Sequence, residues 1–232
     1  MFKNKSNLGL IILLLVGLGL VIFIIAIAFR PAVENGGSTD FAFVPFSSDQ
    51  VPQGATLFEI QSESSEARYV IGEILRGSPK TVIGQTDEVG GQLVVNFDNL
   101  PLVEFSDVAV LASTFQTDNS MRDGATRDRI LFTNEFPLIK FEPETLIDLP
   151  ESINVGDTAE FQIEGPLTIK GISNTETFEV IATVVSETEI DLFATTQIMR
   201  ESYDLNVPNV PGVANVDEAV ILELDLILTA VD

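Results

Sequence analysis

The chain has 232 residues, no histidine and no cysteine, and 35 acidic side chains against 12 basic ones. Those counts exclude disulfides, thiolate nucleophiles, Cys-ligated zinc, Ser-His-Asp triads and HExxH zinc sites. A net charge of −23 opposes a nucleic-acid partner, because binding phosphate needs cations.

The first 30 residues hold Lys3, Lys5, Arg30 and no acid, so residues 31–232 carry 35 acids and 9 bases, a net of −26. From Leu8 to Phe29 the chain is apolar throughout, with Gly9, Gly17 and Gly19 among Leu, Ile, Val, Phe and Ala. At about 1.5 Å per helical residue this stretch spans roughly 33 Å, enough for a bilayer core of about 30 Å. Residues 1–30 are therefore expected to be one N-terminal transmembrane helix, an uncleaved signal anchor. The rival is a cleaved signal peptide, with Ala26-Ile27-Ala28 as its small-x-small site. Against it, the apolar run is longer than a signal core and no polar segment precedes the site. Lys3 and Lys5 before the span place the N-terminus inside and the remainder outside the cytoplasmic membrane.

Residues 31–54 read as a flexible linker. Pro31, Gly36, Gly37, Ser38, Pro45, Ser47, Ser48, Pro52 and Gly54 cluster there. Phe41, Phe43 and Phe46 interrupt it, either docking the tether onto the domain or membrane, or forming a lid over a ligand mouth.

Residues 55–232 read as one all-β domain. Alternation with period two is the dominant signal. It is clearest at the C-terminus, where Val220, Leu222, Leu224, Leu226 and Leu228 alternate with positions that include Glu223 and Asp225. Phe178, Val180, Ala182 and Val184 repeat the pattern, as do Phe161 with Ile163 and Leu167 with Ile169. Further strands are expected in Ala67–Leu75, Gly91–Asp98, Val103–Phe115, Ile139–Leu146 and Ile190–Met199, with one short helix near Ala125–Phe132. About eight strands result, and both a two-sheet sandwich and an up-and-down barrel fit. The composition of sixteen Phe, two Tyr and no Trp gives an apolar interior. A dry core accounts for it, and so does a cavity for a hydrocarbon chain.

Four segments in order resemble the YceI-like family of lipocalin-like polyisoprenoid-binding proteins. They are Ser113-Thr-Phe-Gln-Thr-Asp118 with Arg127-Asp128 and Phe136-Pro-Leu-Ile-Lys-Phe141; the hairpin Gly165-Pro-Leu-Thr-Ile-Lys-Gly171-Ile; Met199-Arg200-Glu-Ser-Tyr-Asp-Leu205; and the closing strand Val220–Ala230. The likeness covers about residues 55–231. Where the family often has His two residues after its Arg-Asp pair, this chain has Ile130. The resemblance implies an antiparallel lipocalin-like β-barrel of about eight strands with a long interior pocket. It implies as partner an isoprenoid, quinone-like or other long-chain amphiphile, as ligand rather than cofactor. Inward residues expected to meet it are Leu93, Val95, Phe97, Phe161, Ile163, Phe178, Val180, Leu222, Leu224 and Leu226. In a ligand-free barrel the same residues would be core.

Arg122, Asp123, Arg127, Asp128 and Arg129 form a mixed-sign cluster. Its arginines, Arg127 foremost, and Arg200 are the candidates for contacting a headgroup, since Arg offers forked donors. The plainer reading is a helix or loop held by Arg–carboxylate pairs, such as Arg127 with Asp128 and Arg200 with Glu201. Asp118-Asn119 with Asp123-Gly124 lacks EF-hand spacing, so no metal is expected. Carboxylates are too numerous to single out a hydrolytic pair. The expected protein is thus a membrane-tethered, extracytoplasmic binding protein and not an enzyme; a homodimer is left open. The alternatives are a structural or interaction barrel with a filled core and, further off, a carboxylate-dependent hydrolase.

Overall fold

In a computed structural model, which describes residues 45–47 and 50–231, strands form where the apolar alternation falls. The expected membrane helix and most of the linker, with Phe41 and Phe43, lie outside the described residues. Phe46 lies within them, half-buried, and its N–H donates to Gln92 Oε1 at 2.7 Å.

The strands are β1 (Thr56–Ile60), β2 (Glu66–Leu75), β3 (Ser78–Thr86), β4 (Val89–Gly90), β5 (Gln92–Val95), β6 (Glu104–Phe105) and β7 (Val108–Leu111). They continue with β8 (Leu138–Phe141), β9 (Thr145–Ile147), β10 (Thr158–Ile169), β11 (Ile172–Ser186), β12 (Glu189–Met199), β13 (Val213–Ala214) and β14 (Ala219–Ala230). Every pairing is antiparallel. From β14 the ladder runs through β12, β11, β10, β8 and β7 to β4. β4 continues through Gly91 into β5, and β5 pairs with β1, which lies on the other side of β14. The sheet therefore curls back on itself. The all-β antiparallel expectation is met.

Two hairpins turn on residue pairs in the left-handed region, Arg76-Gly77 (φ 51° and 85°) and Lys170-Gly171 (φ 52° and 74°). Paired positive φ values suit the twist of two-residue hairpins. They hold β2 against β3 and β10 against β11 in unbroken register.

Some expected strands are broken, for local reasons. Val103–Phe115 divides into β6, β7 and a 3-10 turn at Ala112–Thr114. At the break, Ser106 Oγ accepts from Gln92 N at 2.7 Å and donates to Asp107 O at 3.0 Å, replacing ladder bonds. Ile139–Leu146 divides at Pro143, which has no N–H to donate. β1 and β3 were not among the expected strands. Ser78-Pro79 reads as a turn, yet Pro79 is tolerated near the start of β3. The helix falls earlier than expected. α1 spans Ser120–Ala125, with Asn119 Oδ1 accepting from Met121 N (2.9 Å) and Arg122 N (3.3 Å), and a π turn follows at Thr126–Ile130.

Candidate functional site: a half-hollow sheet with a cationic rim

Alternation sends Tyr69, Ile71, Glu73 and Leu75 of β2 inward, beside Val220 and Leu222 of β14. With Ile139 of β8, Ile169 of β10 and Ile198 of β12 they line a cavity of about 370 Å³. The helical segment supplies Met121, Arg122, Ile130 and Leu131. The loop after β12 supplies Leu205, Val207, Pro208 and Val210. Such a volume lies within the range of small-molecule pockets, roughly 300–1,000 Å³.

Among the described residues, the neighbouring part of the interior is filled. Ile163, Phe178, Val180, Leu224 and Leu226 surround a void of only about 30 Å³. Phe141 and Phe178 pack there with ring centroids 4.7 Å apart. The boundary between hollow and filled is visible on four strands. It falls between Ile139 and Phe141 on β8, between Ile163 and Ile169 on β10, between Ala194 and Ile198 on β12, and between Leu222 and Leu224 on β14.

The polar groups of the cavity are unusual for so acidic a chain. Arg76, Lys80, Arg122 and Arg200 line it, four of the 9 bases in residues 31–232, and Glu73 is its one acid among the described residues. Glu73 is 8% exposed and receives Arg122 Nη2 at 2.9 Å. Arg122 Nη1 reaches Asp118 Oδ1 at 2.5 Å, and Lys80 also pairs with Asp118. Hydrogen bonds from Lys80, then Arg122, hold the Asp118 carboxyl below its usual pKa. Burial raises that of the Tyr69 phenol, keeping it neutral, with its ring edge-on to Phe115 at 5.4 Å. Arg76 is exposed, and its side chain has no hydrogen-bond or ion-pair partner among the described residues.

Of the residues expected at a ligand, Leu222 lines the large cavity. Ile163, Phe178, Val180, Leu224 and Leu226 line the small void. Leu93, Val95 and Phe161 are buried core, and half-buried Phe97 meets Phe58 edge-on at 6.0 Å; these four line neither. Arg200 does line the cavity, but its donors are engaged. They reach Asp217 O (2.7 Å), Leu205 O (2.9 Å), Val216 O (3.4 Å) and Glu218 Oε2 (2.7 Å). It fastens the loop between β12 and β14. Its carboxylate partner is Glu218; Glu201 N–H accompanies it by donating to Glu218 Oε1 at 2.7 Å. Arg127 is half-buried and lines neither cavity; its carbonyl accepts from Thr133 N at 2.9 Å.

Arg122, from the mixed-sign cluster expected to meet a headgroup, does line the cavity, whereas Tyr69, Glu73, Arg76 and Lys80 were not anticipated. Glu73 had a usable signal, a charge in register with inward Tyr69, Ile71 and Leu75. It was obscured because Val70 and Ile74, on the opposite face, are apolar too. The Gly165–Gly171 hairpin is structural. A Cβ at Gly165 would collide with the Glu142 carbonyl oxygen. Lys170 Nζ donates to Asp204 O (2.7 Å) and pairs with Asp204 Oδ2 (2.9 Å), while lying 5.0 Å from the Phe132 ring centroid.

These features define a class: an antiparallel curled-sheet protein with an apolar pocket and a positively charged rim. The YceI-like domain model matches residues 58–228, and the chain belongs to that family. UPF0312 proteins of Staphylococcus aureus strains bovine RF122 and N315 are each 27% identical over 158 residues, 65% of this chain and 83% of theirs. Among solved structures, a polyisoprenoid binding domain from Saccharophagus degradans superposes with a TM-score of 0.59 at 13% identity, covering 75% of this chain and 98% of that one. Burkholderia cenocepacia BcnA gives 0.55 at 16% identity, covering 72% and 98%. Those two likenesses bear on the fold.

Proposed function

We propose that this protein is a membrane-tethered, extracytoplasmic binding protein. In this reading its lipocalin-like barrel stores or carries an isoprenoid, quinone-like or other chain-bearing amphiphile. The observation that carries the reading is the cavity of about 370 Å³, walled by aliphatic side chains and rimmed by Arg76, Lys80 and Arg122. Membership of a family with a polyisoprenoid binding domain among its structural neighbours supports it.

The energetics are adequate. Burying one five-carbon isoprene unit gains up to about 4 kcal/mol at roughly 0.8 kcal/mol per carbon. Association and ordering cost several kcal/mol. A few buried units therefore give about micromolar binding. A tether in the same membrane as the ligand pool would raise the effective concentration further.

The test is direct. Residues 37–232, one compact unit, are purified, extracted with organic solvent and analysed by mass spectrometry. A stoichiometric chain-bearing amphiphile is expected. Protein that emerges empty and takes up neither prenols, quinones nor fatty acids would end the proposal and leave a structural barrel. Separately, protease added to sealed spheroplasts should digest residues 37–232; full protection would refute the extracytoplasmic placement.

A further inference from the structure

The divided interior sets a limit on the ligand. Resting on the reading above, we propose that the cavity takes an acidic amphiphile with a single chain of about fifteen carbons, and excludes substantially longer chains.

The length follows from volume. A cavity of about 150 Å³ holds one six-carbon ring, roughly 25 Å³ per carbon. The space here, about 370 Å³, then corresponds to roughly fifteen carbons. Below it the interior is closed. The remaining void of about 30 Å³ is too small for another isoprene unit. Leu224 is the plug. Its cross-strand neighbours are Ala67 on β2 and Ala194 on β12, so it alone of the three fills the space. Leu222, one inward step away, still faces the cavity.

The acidity follows from the rim. Arg76 is exposed and without a side-chain partner among the described residues, and Lys80 shares Asp118 with Arg122. Glu73 is already neutralised by Arg122 at 2.9 Å. A carboxylate or phosphate at the mouth would find Arg76 ready and Lys80 within the same rim. In residues 31–232, of net −26, that rim is a local exception with a focused field. The wall beside it is apolar at Ile130. A fatty acid and a prenyl phosphate share this chemistry.

The full chain in mild detergent is incubated with an equimolar mixture of farnesyl phosphate, farnesol, palmitate and octaprenyl phosphate. Bound adducts are counted by native mass spectrometry. Farnesyl phosphate or palmitate should form one-to-one adducts, at least about tenfold more abundant than farnesol or octaprenyl phosphate. Whichever of the two acids dominates names the source. Octaprenyl phosphate binding as well as farnesyl phosphate would overturn the length limit. Farnesol binding as well as farnesyl phosphate would overturn the acidic headgroup while leaving the proposed function standing. No adduct with any of the four would count against that function itself. Two variants sharpen the result. Leu224→Ala should open the floor and shift the ratio toward the longer chain. Arg76→Gln should erase the preference for acid over alcohol, read as the ratio of farnesyl phosphate to farnesol adducts. An unchanged ratio in a folded Leu224→Ala protein would show that Leu224 is not the plug.

Discussion

Where β14 carries Leu224, Leu226 and Leu228, the interior is full; where it carries Leu222 and Val220, it is hollow. The strand and its alternation are the same in both halves. The difference lies in what faces it. In the filled half Phe141 and Phe178 meet at 4.7 Å, and large apolar side chains converge from several strands. In the hollow half a part-buried charge pair, Glu73 with Arg122, ties α1 to β2, and Arg200 ties down the loop from Leu205 to Glu218. Neither charge nor loop carbonyl can be pressed into an apolar centre without losing its hydrogen bonds. One half is held by packing and the other by polar ties around a space.

The largest effect should come from the filled half. Phe178 is 3% exposed, and Phe178→Ala removes a packed ring. A loss of about 3–5 kcal/mol is expected, read from chemical denaturation. A loss below about 1 kcal/mol would mean that this half is loosely packed, and the contrast would fail. A middling effect is expected at the polar ties. Arg200→Ala should cost about 2–3 kcal/mol, because loop carbonyls lose a charged donor. Limited proteolysis should then cut between residues 206 and 216; an unchanged fragment pattern would show that the loop is held by other means. A smaller change in stability is expected from filling the hollow. Leu222→Trp should abolish ligand uptake yet change stability by less than about 1 kcal/mol. In a packed core the same enlargement costs roughly 1–3 kcal/mol. That variant is the most direct discriminator between a cavity and a filled barrel.

The strands were legible in the sequence to different degrees. Strands with one polar face, such as β10 and β14, were legible because Glu and Thr mark the outside. β2 was legible as a strand, but its inward face was not, because Val70 and Ile74 match the apolarity of Ile71 and Leu75. The hollow was not legible at all. Whether Leu222 faces space and Leu224 faces side chains depends on neighbours such as Ala67 and Ala194, brought there by register rather than by local pattern. The rim was only partly legible for a related reason. Arg76 and Lys80 sit on one hairpin, far in sequence from Arg122, and meet it because that β2–β3 hairpin turns beside α1. Arg127, chosen for its resemblance to a family pair, has no place on the cavity wall. Arg200, chosen likewise, lies at the right place with its donors already engaged.

The smallest expected effect concerns pH, and it tests the polar half alone. Asp118 links Lys80 and Arg122, and its folded pKa is depressed below 3.8, chiefly by the bond from Lys80. A depressed carboxyl stabilises the fold fully above its unfolded pKa and loses that contribution as pH falls through the folded value. Between about pH 7 and pH 5 the melting temperature of Asp118→Asn should lie a constant small interval below that of the unchanged protein. Below pH 3.8 the interval should close, as Asp118 is protonated and the two proteins become equivalent. The difference must be small because Asp118 is exposed and water screens the pair. Phe178→Ala should show a deficit that ignores pH over the same range, since no charge is removed. If the Asp118→Asn interval stayed constant down to pH 3, the links from Lys80 and Arg122 would contribute nothing as ion pairs. The rim would then be held open by packing, as the other half is.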